Sequence, residues 1–293
     1  MTQAEVVQCT CCGSDELRPS WMGTIFFKGR EFGYLECRRC RSLRCDPMPN
    51  AAMLSLMYGE DFKHQLKPVH NVEHPKDPAA VLAILRTLPS GTFMDYGCGA
   101  GDLLAEAKKI GWSAAGVEYD RKVAAGVAAQ MDCAVYTPAE ANSLPPVDVL
   151  HLGDVIEHLT RVDQELPEIM RLIKPGGILI AEGPLEVGPT LFNFFLRGFR
   201  RITRNFRRTE FAPYHVLLAS VRGQKAMFQR FDIGEIAYKV TEIAWPAQVR
   251  LQLNDLRRPR IVALFLVRKI SQLFSSLVPQ KWGNRYFFVG RVK

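Results

Sequence analysis

The sequence lacks any apolar run that could cross a bilayer. Its purest stretch, Ile261 to Val267, is far shorter than the roughly 20 residues a spanning helix needs. The opening MTQAEVVQC has neither a basic segment nor an apolar one, so it does not read as a secretory leader, and the cytoplasm is the expected compartment. Acidic residues are scarce in the last third: residues 191–293 hold 5 Asp and Glu against 20 Lys and Arg, a net +15, whereas residues 1–190 carry −7. Such a split suits an anionic partner, whether a phosphorylated substrate, a membrane surface or a nucleic acid; a merely solvated basic face is the other reading. In bulk the composition, 47% hydrophobic and 23% charged, is that of a globular chain. Its 293 residues suffice for one large domain with a small appendage.

Cysteine is present in eight copies, and spacing sorts them. Cys9 and Cys12 form one CxxC and Cys37 and Cys40 another, with 24 residues between the pairs. Two such knuckles bring four thiolates within reach of one tetrahedral Zn²⁺. Disulfides are the rival pairing, but a cytosolic chain disfavours them, and a redox CxxC would not require two copies. Cys11, Cys45, Cys98 and Cys133 are read as small apolar fillers.

The centre of the chain reads as alternating strand and helix. Thr92–Tyr96 is a short apolar strand, followed by Gly97-Cys98-Gly99-Ala100-Gly101 and a helical run from Asp102 to Ile110. Glycines at a strand-to-helix turn let the backbone approach a ligand that a Cβ would exclude. Asp95 stands two residues before the first glycine, where a pyrophosphate is unwelcome and a cationic amino-acid moiety is not. A second strand, Ser113–Val117, ends in Glu118, an acid placed to bond ribose hydroxyls as in nucleotide folds generally. Cys133–Tyr136 leads to a loop at 137–144. Val147–Leu152 reads as a fourth strand entering a helix through Gly153–Leu159, and after a helix over Gln164–Ile173 and the turn Lys174–Gly177, Ile178–Glu182 is the fifth. This spacing predicts a parallel, doubly wound α/β sheet.

The runs FMDYGCGAGDLL, VEYD, VDVLHLGDVIEHL and LIKPGGILIAEGP closely resemble the consecutive motifs of class I S-adenosylmethionine-dependent methyltransferases. CxxCG, a spacer and CRRCRSLRCDPMPNAAMLSLMYGEDF resemble the zinc-bearing front end of a methyltransferase group that includes sugar C-methyltransferases and related natural-product and polysaccharide enzymes. Arg41-Ser42 departs from that group, which usually has a glycine after the second knuckle. The resemblance implies a Rossmann-like seven-stranded methyltransferase sheet with a zinc-ribbon-like module: 1–48 as the zinc module, 49–90 as a helical linker and 91–293 as the methyltransferase domain. S-adenosylmethionine and Zn²⁺ are the implied cofactors. Asp95, Gly97, Gly99 and Gly101 would line the methionine and ribose parts, Glu118 the ribose diol, and Tyr119 and Ala139 (beside Glu140) the adenine, while Asp154 would close the fourth strand at the cofactor.

Methyl transfer needs a positioned nucleophile relieved of its proton. Asp154, Glu157 and His158 stand at i, i+3 and i+4, as if on one helix face. The resemblance extends to enzymes in which comparable acids and histidines hold a divalent metal. His158 and His215 are the candidate bases; a role for His158 in fixing the strand–helix corner is the alternative. His64, His70, His74 and His151 have no supporting constellation and receive no role.

Ile236–Ala244 and Arg285–Arg291 fit the last two strands, the latter as an antiparallel edge hairpin. Before them, residues 191–235 read as a basic amphipathic insertion or lid. Within Leu191–Arg208, Phe192, Phe195, Leu196, Phe199, Ile202 and Phe206 share one helical face, and Arg197, Arg200, Arg201, Arg204, Arg207 and Arg208 crowd the rest. A membrane-surface helix, a lid over an anionic substrate and a helix packed on the core all fit. Residues 256–278 repeat the theme. The expected activity is methylation of a small, anionic or lipid- or nucleotide-linked metabolite such as a sugar, with peripheral association to an anionic membrane as a further setting. A zinc-containing RNA methyltransferase is the alternative; basic residues interleaved with Phe and Leu suit a stacking platform for nucleic acid less well.

Overall fold

In a computed structural model of the chain, residues 7–58, 78–202, 209–244, 247 and 249–293 are described. Along the chain come β1 (Leu17–Pro19), β2 (Ile25–Phe27), β3 (Arg30–Cys37), β4 (Leu43–Asp46), α1 (Ala51–Met57) and α2 (Pro78–Thr87). Then follow β5 (Thr92–Tyr96), α3 (Asp102–Lys109), β6 (Ser113–Val117), α4 (Arg121–Met131), β7 (Val135–Tyr136), α5 (Pro138–Ala141), β8 (Val147–Gly153), α6 (Val162–Met170) and β9 (Ile173–Pro184). The remainder is α7 (Leu191–Ile202), β10 (Thr209–Glu210), β11 (Leu217–Leu218), α8 (Val221–Arg230), β12 (Ile233–Thr241), α9 (Pro259–Leu277) and β13 (Arg285–Val292).

Two compact units result, each stitched from separate stretches: 1–73, 184–227 and 240–285 make the first, and 74–183, 228–239 and 286–293 the second. The consecutive blocks 1–48, 49–90 and 91–293 read from the sequence follow a different division. The first unit holds a six-stranded sheet in which β10-β2-β3-β4-β11 are neighbours and β1 pairs with β3. Two dipeptide strands from residues 209–218 therefore complete the sheet around the second CxxC. Phe27, Phe32, Met53, Met57, Tyr214 and Val216 fill one side of it. α1 is started by Asn50, whose side chain accepts the Met53 N–H at 3.0 Å and so satisfies an orphan donor of the first turn.

The second unit carries the expected Rossmann-like sheet, seven strands in the order β12-β13-β9-β8-β5-β6-β7. Within the run β7-β6-β5-β8-β9, each adjacent pair of strands is parallel. Phe93, Val149, Ile178 and Ile180 line one sheet face against Val81, Leu85 and Leu104. Three local readings are corrected here. β13 is an interior strand rather than the edge; it is buried along most of its length, and β12, with Glu235, Ile236, Ala237 and Lys239 exposed, takes the edge. Lys174–Gly177 does not separate helix from strand: β9 already begins at Ile173, and the turn is a bulge, with Val147 paired to Ile173 but Val149 to Ile178. Finally, no α-helix runs through Gly153–Leu159. Asp154 takes a left-handed φ of 54°, which ends the strand, and only a 3₁₀ turn follows at Ile156–His158.

The basic segment is helical over Leu191–Ile202, and residues 203–208, including Arg204, Phe206, Arg207 and Arg208, lie outside the described residues. Its sidedness differs from the sequence reading. Arg197 turns inward, donating to the Val187 carbonyl at 3.0 Å with its guanidinium 5.0 Å from the Trp21 ring, whereas Phe194, Phe195 and Phe199 are exposed. His64, His70 and His74, in the linker stretch 59–77, also lie outside the described residues.

Candidate functional site

The glycine turn after β5 is built as its spacing requires. Gly97, Gly99 and Gly101 all have positive φ, at 85°, 53° and 83°. A Cβ on Gly97 would lie 2.7 Å from Val155 Cγ2, and one on Gly101 2.5 Å from Val127 Cγ1, so both are packed against. At Gly99 nothing lies within 4 Å, and a Cβ there would fill the cradle itself. The N–H groups of Gly97 and Cys98 donate to the Val117 carbonyl at the end of β6, locking turn to strand. Glu118, the next residue, accepts the Gly99 N–H at 3.0 Å and the Asp120 N–H at 3.3 Å. Its carboxylate is thereby held at the mouth of the turn. Tyr119 is exposed, and Ala139 sits exposed in α5, whose start is capped by the Thr137–Glu140 box.

Beneath this turn, the sheet face changes from apolar to charged at the carboxyl ends of its strands. Asp95 on β5 and His151 on β8 are register partners, and Glu182 follows on β9, two positions beyond the Ile180 that pairs with His151. His151 Nδ1 is 2.7 Å from Asp95 Oδ1 and Nε2 is 3.5 Å from Glu182 Oε1, with all three residues buried. Burial alone would lower the imidazole pKa, but the two carboxylates outweigh it and raise it to about 9. His151 is the residue that sequence reading passed over. A lone histidine in the apolar run Val147–Gly153 resembles core filling until the strand order puts an acid on either side.

The Asp154, Glu157 and His158 group does not form a helical face. The Asp154 N–H donates to the Glu182 carbonyl at 3.0 Å. Glu157 is buried, and a Cβ at Gly183 would meet its Oε2 at 3.4 Å and the Tyr286 hydroxyl at 3.3 Å. His158 is half-buried on the 3₁₀ turn, with its N–H donating to Val155. In the first unit, His215 is half-exposed, its Nδ1 is hydrogen-bonded to Glu186 Oε1, and its carbonyl accepts the Tyr34 hydroxyl at 2.9 Å.

Also in the first unit, the sulfurs of Cys9, Cys12, Cys37 and Cys40 all lie within 4.8 Å of one another. Cys9 and Cys40 are 3.5 Å apart and Cys12 and Cys37 3.6 Å, close to the roughly 3.8 Å edge of a tetrahedron with 2.3 Å metal–sulfur bonds. The two knuckles are built alike. Cys9 N–H reaches Ser14 and Gly13 N–H returns to Cys9; Cys37 N–H reaches Ser42 and Arg41 N–H returns to Cys37. Gly13 and Arg41 each take φ 70°, so Arg41 adopts the conformation for which glycine is the natural residue. Its side chain is paired with Glu36 at 3.3 Å. Hydrogen bonds from Cys11 and Cys9 pull the Cys40 thiol well below its ordinary range, while contacts with Cys11 and Cys40, with burial, push Cys9 far above it. Cys45 and Cys98 pack: burial pushes both up to about 12, and Cys98 lies under Gly116, where a Cβ would come within 2.7 Å of its sulfur.

Comparison with known proteins adds a family. Residues 69–230 match the family described as "Methyltransferase domain". The chain is 33% identical over 153 residues to an uncharacterized methyltransferase of Mycobacterium sp. (strain KMS), covering 47% of this chain and 60% of the relative. It is 34% identical over 97 residues to the ubiquinone biosynthesis O-methyltransferase of Caulobacter vibrioides, covering 30% and 38%. It thus spans less than two thirds of the length of these relatives. Among solved structures, a SAM dependent methyltransferase from Archaeoglobus fulgidus is similar over 73% of this chain and 94% of its own, at 17% identity and a TM-score of 0.46.

Proposed function

The chain belongs to the methyltransferase-domain family, and from that premise we propose that it transfers a methyl group from S-adenosylmethionine to a small anionic acceptor, such as a phosphate-linked sugar. The observation that carries this is the open glycine turn with Glu118 at its mouth: Gly99 contributes space and an N–H, and Glu118 a carboxylate at the end of the adjoining strand. Glu118 would hold the ribose diol, Gly97, Gly99 and Gly101 would border the methionine and ribose parts, and Asp95 would underlie the ammonium. The exposed ring of Tyr119 and the edge at Ala139 would flank the adenine, and Asp154, at the carboxyl end of β8, would close the pocket. The bound cofactor would supply an electrophilic sulfonium methyl.

The protein's own part is to hold the acceptor and take its proton. His215, whose Nδ1 is held by Glu186, has the base-and-orienter arrangement in which a carboxylate fixes the imidazole ring. His158 is the second candidate base, in the other unit. A cleft of about 380 Å³ in the first unit, lined by Arg41, Arg197, Arg222 and Lys281 beside Val187, Pro189 and Val221, would offer both cationic and apolar contacts to such an acceptor. The cysteine cluster would hold one Zn²⁺ in a structural role, since all four ligand positions are taken by sulfur.

The test is calorimetric titration with S-adenosylmethionine, then mass spectrometry of extract metabolites that gain an isotope-labelled methyl group from the cofactor. Absence of cofactor binding by the intact, reduced protein would overturn the reading. Labelling confined to RNA would transfer it to the nucleic-acid class.

A further inference from the structure

Helix α9 is inside out. Its buried residues are polar: Arg268, Ser271 and Ser275. Arg268 Nη1 donates to Glu242 Oε1 at 2.8 Å, and Ser271 donates to the other oxygen of the same carboxylate. Trp282 Nε1 donates to Ser271 at 3.0 Å, Ser275 to the Trp282 carbonyl at 2.8 Å, and the Arg268 guanidinium lies 4.3 Å from the Phe192 ring of α7. The helix is thus anchored by its polar side. Its outer side carries Leu266, Ile270, Leu273, Phe274 and Leu277, with Leu273 61% and Leu277 69% exposed. α7, packed on α9, exposes Phe194, Phe195 and Phe199. A helix whose only neighbours are protein and water shows the opposite sidedness, and apolar surface gathered in this way marks a contact with something else.

We infer that the outer faces of α7 and α9 dock onto an anionic lipid surface. Charge selects this occupant. Neither helix contains an acidic residue, and none occurs after Asp255. Arg257 and Arg258, just before α9, and Arg260 and Lys269 within it are exposed. A bilayer bearing anionic headgroups takes the leucines and phenylalanines at its acyl boundary and the arginines at its surface together. A second copy of this chain would bring the same cations against themselves. α9 spans about 28 Å at 1.5 Å per residue. No helix among the described residues is long and apolar enough to cross a membrane, so the geometry is that of a helix lying in the interface. The inference is independent of which acceptor is methylated.

The experiment is flotation of the full chain with phosphatidylcholine vesicles containing about one-third phosphatidylserine, beside pure phosphatidylcholine vesicles. The protein should float with the anionic vesicles, with binding roughly tenfold or more weaker on neutral ones. Leu273→Ser with Leu277→Ser, and separately Phe194→Ser with Phe195→Ser, should reduce that binding by roughly tenfold or more. Arg257→Glu with Arg258→Glu should do the same. Circular dichroism melts should be unchanged, because all these side chains already face solvent. Failure to float with either vesicle, or flotation untouched by the serine pairs, overturns the proposal. So does a dimer in light scattering that the serine pairs dissolve while vesicle binding is absent, since the spacing of Leu266, Ile270, Leu273 and Leu277 also fits a coiled-coil partner.

Discussion

His151 Nδ1 and Asp95 Oδ1 lie 2.7 Å apart on neighbouring parallel strands, both buried beneath the glycine turn. A buried imidazole gains a proton only where fixed negative charge exceeds the cost of dehydration, and here Asp95 is joined by Glu182 from the next strand. The pair ties the strand that enters the turn to the strand that ends at Asp154. It makes the floor of the candidate cofactor site a charged tier laid on the apolar one.

The first prediction follows from that tier. The folded-state pKa of His151, about 9, lies above the unfolded value near 6.5. Its contribution to stability is therefore complete below about pH 6.5 and disappears as pH rises through about 9. Urea unfolding across this range should show a loss of stability with rising pH that is smaller in His151→Gln. An NMR titration giving the His151 ring an ordinary histidine pKa would contradict the assignment.

Glu118→Ala should weaken S-adenosylmethionine binding by about 1–3 kcal/mol, from lost hydrogen bonds to ribose and from release of the Gly99 N–H that the carboxylate now holds. Calorimetry reads this directly. Affinity equal to that of the unaltered protein would remove Glu118 from the site.

The cysteine cluster should carry about one zinc per chain, lost in Cys37→Ser or Cys40→Ser. The effect should reach beyond the first fifty residues. Ser220 Oγ donates to the Cys40 carbonyl at 2.6 Å, the Ser220 N–H donates to Ser42 Oγ at 3.0 Å, and β11 pairs with β4. Hydrogen exchange after zinc removal should therefore rise in residues 209–227 as well as in 9–46. Exchange confined to the N-terminal stretch would mean that the shared sheet stands without the metal.

Arg41→Gly should raise the melting temperature of the first unit, by an amount equivalent to as much as about 1 kcal/mol, because a left-handed residue with a Cβ is relieved. Glu36 keeps its 2.8 Å pair with Arg18 in the variant. A fall in stability would show that the Arg41–Glu36 contact outweighs the backbone term.

If His215 is the base, His215→Ala should lower turnover by about 10²–10⁴ with cofactor affinity retained, and Glu186→Gln should lower it less while altering the pH profile. Full turnover in the His215 and His158 alanine variants would return both to structural roles.

What could be read in advance was local. A glycine turn two residues beyond Asp95, an acid after the next strand and two CxxC knuckles are set by neighbours within a few positions, and the alternation of strand and helix follows from hydrophobic period. Asp154 shows where that reasoning stops. Three polar residues at i, i+3 and i+4 imply a helix only if the backbone continues helically, and a φ of 54° at Asp154 breaks the inference.

By itself, then, the sequence determined the doubly wound fold, the glycine turn and the four-sulfur cluster, because each depends on short-range spacing. Only the tertiary structure decided that β13 lies inside the sheet, that β10 and β11 complete the sheet around the second CxxC, and that His151 stands between two acids. It also decided the sidedness of α9. Sequence periodicity finds an apolar stripe but not the side that meets the protein, and here the buried carboxylate of Glu242, by drawing Arg268 and Ser271 inward, turned the stripe outward.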